Sequence, residues 1–143
     1  MEKKSLIHEI KIINGDIFKA ISNRYKSMNI DITPMHARII MTIYKSSEPL
    51  CQKDLENSMS CNKSTMSSIV STMEKNGLLV RHSSEHDSRI NYLLLTDKGL
   101  EMVDFLKKDR KYTSDILMDG IGEDEYLIFT QVVDKIRKNL ERI

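Results

Sequence analysis

Residues 62–96 read NKSTMSSIVSTMEKNGLLVRHSSEHDSRINYLLLT, and a change of period inside this stretch decides the fold. Met66, Ile69, Val70 and Met73 recur at i, i+3, i+4 and i+7, an arc of about 100° on a helix of about 3.6 residues per turn. That spacing predicts a helix over 63–76 with the arc as its core face. Asn62 precedes it as an N-cap, and Gly77 follows where a left-handed residue costs least. From Leu78 the pattern becomes β-like. Two short apolar runs, 78–82 and 90–95, flank the polar residues 83–89 and predict a hairpin whose loop is longer than a two-residue turn.

Before this stretch, a short helix is expected over 52–57, joined to the next by a turn at 58–61. Thr33-Pro34 supplies an N-cap and a first-turn proline for a helix running up to Tyr44, with 45–49 as a polar break. Residues 1–29 read as one long helix, because Leu6, Ile10, Ile13, Ile17 and Ala20 form an apolar stripe that must pack on something. Beyond the hairpin, Thr96-Asp97 opens a helix to about Met118, Gly120 and Gly122 break the chain, and 126–143 make a final helix. The expected class is mainly α with a small β-hairpin wing, in a single domain spanning 1–143.

The second of the two short helices joined by a tight turn presents Ser64, Ser67, Ser68, Ser71 and Lys75 opposite its core face, with Lys63 at its amino end. Short hydroxyls let a backbone approach base edges closely, and a helix amino terminus attracts phosphate. This is what a helix-turn-helix needs to enter a major groove; the same surface also suits a plain solvent face.

Composition sets the outer limits. The chain has 143 residues, 22 Lys+Arg against 21 Asp+Glu for a formal net charge of +1, and 40% hydrophobic residues, so whole-chain charge names no partner. No apolar run approaches the ~20 residues of a membrane span, the start lacks a cleavable secretory pattern, and two cysteines do not make a disulfide framework; a cytoplasmic protein without membrane contact is expected. There is no Gly-rich phosphate loop, no serine elbow and no convincing metal set, so neither enzyme activity nor a cofactor is expected.

Over residues 32–100 the sequence resembles the MarR family of winged helix-turn-helix transcriptional regulators. The landmarks are Thr33-Pro34, Pro49-Leu50, Gln52-Lys53-Asp54-Leu55, Lys63-Ser64-Thr65, Glu74-Lys75-Asn76-Gly77-Leu78 leading into Arg81, Asp87-Ser88-Arg89, and Leu95-Thr96-Asp97-Lys98-Gly99. The resemblance implies a homodimer through N- and C-terminal helices (1–32 and 97–143) around a DNA-binding lobe at 33–96, with double-stranded DNA as partner. It implies that Lys63, Ser64, Ser67, Ser68, Ser71, Lys75 and Arg81 serve DNA binding. It further implies that Arg89 is a wing arginine for the minor groove and Asp87 the acid that orients it. A guanidinium on a thin hairpin suits a narrow, negative groove. A small aromatic or phenolic effector and repression of a promoter are also implied; a helical dimer used only for protein contacts is the rival reading.

Departures from the family pattern carry expectations of their own. Arginine is common in the family near the positions of Ser68 and Thr72, and this chain has none there. Residues 34–96 hold seven Lys+Arg against six Asp+Glu, which predicts weak non-specific binding with a shallow salt slope. Cys61, in the turn, is expected to be an apolar plug rather than a redox sensor. His82 and His86 fall in a hairpin, where a four-residue spacing does not bring imidazoles together. His36 stands where Gln or Glu would complete a capping box; it is either a cap substitute or part of an effector pocket.

Overall fold

The computed structural model describes residues 4–143, which divide into two compact units, one up to Lys108 and the other Asp109–Ile143. The elements run α1 (Leu6–Ser27), α2 (Pro34–Lys45), β1 (Leu50–Cys51), α3 (Gln52–Ser58), α4 (Lys63–Lys75), β2 (Leu79–Ser83), β3 (Asn91–Leu95), α5 (Asp97–Met118) and α6 (Glu123–Leu140). The expected order is present, and the part of the first helix expected at residues 1–3 lies outside the described residues.

The first unit is organised around the predicted arc. Met66, Val70 and Met73 are fully buried and Ile69 is half-buried, in a core with Ile39, Ile40, Leu55, Leu79 and Leu93. Thr33 caps α2 as expected, accepting the His36 N–H at 3.1 Å, and Asn62 caps α4 by accepting the Thr65 N–H at 2.8 Å. Gly77 takes the left-handed conformation (φ 72°) that ends α4. Its N–H donates to the Glu74 carbonyl, and that of Leu78 to Met73, a Schellman closure.

The expected hairpin is present as β2 and β3, and the structure adds a strand to it: in a three-stranded antiparallel sheet of order β1-β3-β2, Leu50 and Cys51, which carry no assignment between the polar break and the helix expected from 52, pair with Leu93 and Tyr92. Two residues are too short to show an alternating pattern, so this strand exists only by virtue of its partner. In the second unit α6 starts at Glu123 rather than 126 and ends at Leu140. The Gly122 N–H donates to Glu125 Oε2 at 2.9 Å, and three acids in the first turn favour the positive end of the helix.

Both units keep apolar side chains at their surfaces. On α1 these are Leu6, Ile7, Ile10, Ile13 and Phe18; on α6 they are Tyr126, Leu127, Ile128, Phe129 and Val132. Among the described residues no helix is long and apolar enough to cross a membrane.

Candidate nucleic-acid interface

Helix α4 is held by its buried methionines, so its opposite side is fixed by helical geometry. Ser64, Ser68 and Lys75 lie exposed on that side, and Lys63 is exposed at the amino end. Ser71 points the same way but is half-buried, and Ser67, on the flank, is half-buried as well. Ser67 therefore joins the edge of the outward row and not its crest. Two exposed residues that the sequence reading did not select, Thr65 and Thr72, lie on the flank opposite Ser67. Thr72 follows Ser64 and Ser68 at a spacing of four, which is the signal that could have found it. The Thr72 hydroxyl donates to the Ser68 carbonyl at 3.1 Å, leaving its lone pairs outward.

The turn before α4 is built from Met59, buried, Ser60 in a left-handed conformation (φ 49°), and Cys61. Cys61 is half-buried against the core, as an apolar plug would be. Cys51 sits at the N-cap of α3, where its N–H and its thiol both donate to Asp54 Oδ2, at 2.8 and 3.2 Å. His36 serves as the cap substitute: its Nδ1 accepts the Thr33 N–H at 3.3 Å, completing a reciprocal box.

Beyond β2 the wing closes on itself. Ser84 is buried, its N–H donates to the Ile90 carbonyl at 2.8 Å, and its hydroxyl accepts the N–H of His86 at 3.2 Å. At the tip, Arg89 Nε and Nη2 donate to the two oxygens of Asp87, each at 3.1 Å, and the Arg89 N–H also donates to Asp87 Oδ1 at 3.0 Å. These hydrogen bonds hold the Asp87 carboxyl below its ordinary pKa, so it stays ionised and keeps its grip. The Arg89 side chain remains 89% exposed, an oriented cation presented to solvent. Arg81, on β2, lies 3.5 Å from Glu74 Oε1 of α4, so its charge is partly answered within the chain. His82 Nδ1 lies 3.0 Å from its neighbour's carbonyl, and among the described residues no group of three His, Cys, Asp or Glu gathers to hold a metal.

A short helix, a turn, a second helix with a polar outward row and a hairpin bearing an oriented arginine together define a winged helix-turn-helix. A model described as the MarR family matches residues 30–90. The uncharacterised HTH-type transcriptional regulator YdgJ of Bacillus subtilis (strain 168) is 20% identical over 142 residues, covering 99% of this chain and 83% of that protein. A crystal structure of an S. aureus MepR–DNA complex superposes with a TM-score of 0.84 at 18% identity, covering 99% of this chain and 100% of the other. The PcaV transcriptional regulator of Streptomyces coelicolor, in complex with its natural ligand, gives 0.74 at 19% identity, covering 96% of this chain and 98% of the other. At these identities the solved structures establish the fold. The fold is that of a winged helix-turn-helix, and residues 30–90 are similar to the MarR family.

Proposed function

We propose that this protein regulates transcription as a homodimer that binds a pseudo-palindromic DNA operator and represses by occluding a promoter. The observation that carries the reading is the pairing, on one lobe, of an outward hydroxyl row on α4 with an arginine that Asp87 holds in place at the wing tip. Ser64, Ser68 and Lys75, with Thr65 and Thr72, meet base edges and phosphates; Lys63 meets a phosphate at the start of the helix; Ser67 and Ser71 contribute from the edge. Arg89 enters a flanking minor groove, with Asp87 as its positioning partner, and Arg81 supports it from β2. Residues 1–32 and 97–143 supply the dimer contacts, which the exposed apolar faces of α1 and α6 favour. The site of action is the cytoplasm, where the DNA of the bacterial relatives resides.

A small aromatic or phenolic effector releases the operator in this reading, by binding one lobe spacing better than another. The ligand-bound PcaV structure supports an effector as such and leaves its chemistry open. The deciding experiment is selection of bound sequences from a random duplex pool. The expected result is a two-fold symmetric consensus with half-sites about 34 Å apart, one turn of the duplex. Absence of any enriched sequence would favour a dimer that serves only protein contacts.

A further inference from the structure

The run Leu95-Thr96-Asp97-Lys98-Gly99 has no part in the interface described above, yet the exit of α4 closes onto it. Three successive carbonyls leave the helix there, and each receives a donor from this run. Lys98 Nζ donates to the Asn76 carbonyl at 2.7 Å, the Thr96 hydroxyl donates to that of Gly77, and the Thr96 N–H donates to that of Leu78 at 3.1 Å. The same Thr96 hydroxyl accepts the Gly99 N–H at 3.1 Å, so one oxygen caps α5 and grips the end of α4. Gly99 is required by the closeness of the approach: a Cβ there would run into the Leu78 carbonyl. At the opposite end of α4, among the described residues, the hydrogen bond to a neighbouring element is a long one, Gln52 Nε2 to the Lys63 carbonyl at 3.5 Å.

We propose that the Thr96–Gly99 segment is a clamp that sets the tilt of the recognition helix, with Thr96 and Lys98 as positioning residues for sequence-specific DNA binding. The inference rests on the DNA-binding reading of α4. Its physical basis is leverage. The 13 residues of α4 span about 20 Å, so a tilt of about 5° at the clamped end carries the amino end through about 1.7 Å. Base-edge hydrogen bonds do not survive such a shift, whereas contacts governed by net charge do. Apolar packing of Met66, Val70 and Met73 sets the crossing of the helix only within a range of angles, and the directed hydrogen bonds of the clamp hold its exit end within that range.

The test uses the full chain as wild type, Thr96→Val, Thr96→Ser and Lys98→Met, titrated with the duplex that wild type selects and with random duplex over a range of salt. Thr96→Val and Lys98→Met are expected to weaken binding to the selected duplex by about tenfold while affinity for random duplex and the salt slope stay unchanged. Thr96→Ser, which keeps the hydroxyl, is expected to bind as wild type does. A purely structural role would lower the unfolding midpoint of Thr96→Val with its preference for the selected duplex intact, and that result overturns the proposal. A salt slope lower by about 0.9 for Lys98→Met would make Lys98 a phosphate contact and also overturn it. Amide exchange without DNA separates the clamp from the DNA reading. Faster exchange at Asn76 and Gly77 in both variants, with the Asn62-capped first turn unchanged, is expected; unchanged exchange throughout refutes the clamp even where wild type selects a duplex. Failure of wild type to select any duplex refutes the DNA reading and the proposal that rests on it.

Discussion

Lowering the pH should loosen the start of α2 through one side chain. His36 is 7% exposed and closes its cap by accepting the Thr33 N–H on Nδ1 at 3.3 Å, which requires a neutral ring with its proton on Nε2. Burial lowers the pKa of His36 below 6.5, against a smaller upward pull from Asp31. The unfolded chain then takes up the proton more readily than the folded one. Stability is therefore complete above about pH 6.5, declines as the pH falls below it, and levels off once the folded ring is itself protonated. Protonation puts an N–H where an acceptor stood but leaves the His36 N–H on Thr33 Oγ1. One of the two cap bonds is lost, about 1 kcal/mol because Thr33 is exposed and water can replace the acceptor. For a chain of this length that is about 3–5 °C in the unfolding midpoint. Thermal unfolding of wild type and His36→Gln between about pH 8 and about pH 5 isolates the effect, since Gln can close the same box without titrating. Wild type should lose about 3–5 °C relative to the variant across that interval. Parallel curves would show that the ring nitrogen does not hold the cap.

Three further outcomes follow from the interface and the apolar faces. Arg89→Ala should weaken binding to the selected duplex by about tenfold with the dimer unchanged in sedimentation; equal affinity would remove the wing from recognition. Ser68→Arg should strengthen binding to random duplex and steepen the salt slope by about 0.9, from the shallow wild-type value expected of a lobe with seven cations and six anions. An unaltered slope would mean that residue 68 faces away from the phosphates. Phe129→Glu, at a side chain 63% exposed on α6, should shift the sedimenting species from dimer to monomer, and a persistent dimer would move the interface elsewhere.

The helices were legible because each depends on residues within a turn or two of one another. The period of Met66, Ile69, Val70 and Met73 marks the core side of α4, and Thr33, Asn62 and Gly77 mark ends because a cap acts on the three or four residues beside it. The outward row is legible by the same rule: Ser64, Ser68 and Lys75 are exposed opposite the core face, Ser67 and Ser71 are half-buried beside them, and Thr65 and Thr72 are exposed on the other flank. The pairing of Asp87 with Arg89, which the family resemblance implies, joins two residues of one turn.

Elsewhere the deciding partner is remote along the chain. Leu50 and Cys51 carry no strand pattern of their own and become a strand only where β3 lies beside them. Glu74 and Arg81 face each other because β2 folds back past the end of α4, and Lys98 reaches Asn76 across the whole wing. Local sequence suffices for the helices, their caps, the core side of α4 and the presence of a β wing, because hydrophobic period and capping act between near neighbours. Tertiary structure alone decided the third strand, the partial neutralisation of Arg81 and the grip on the exit of α4, because each requires two segments to meet that share no local period.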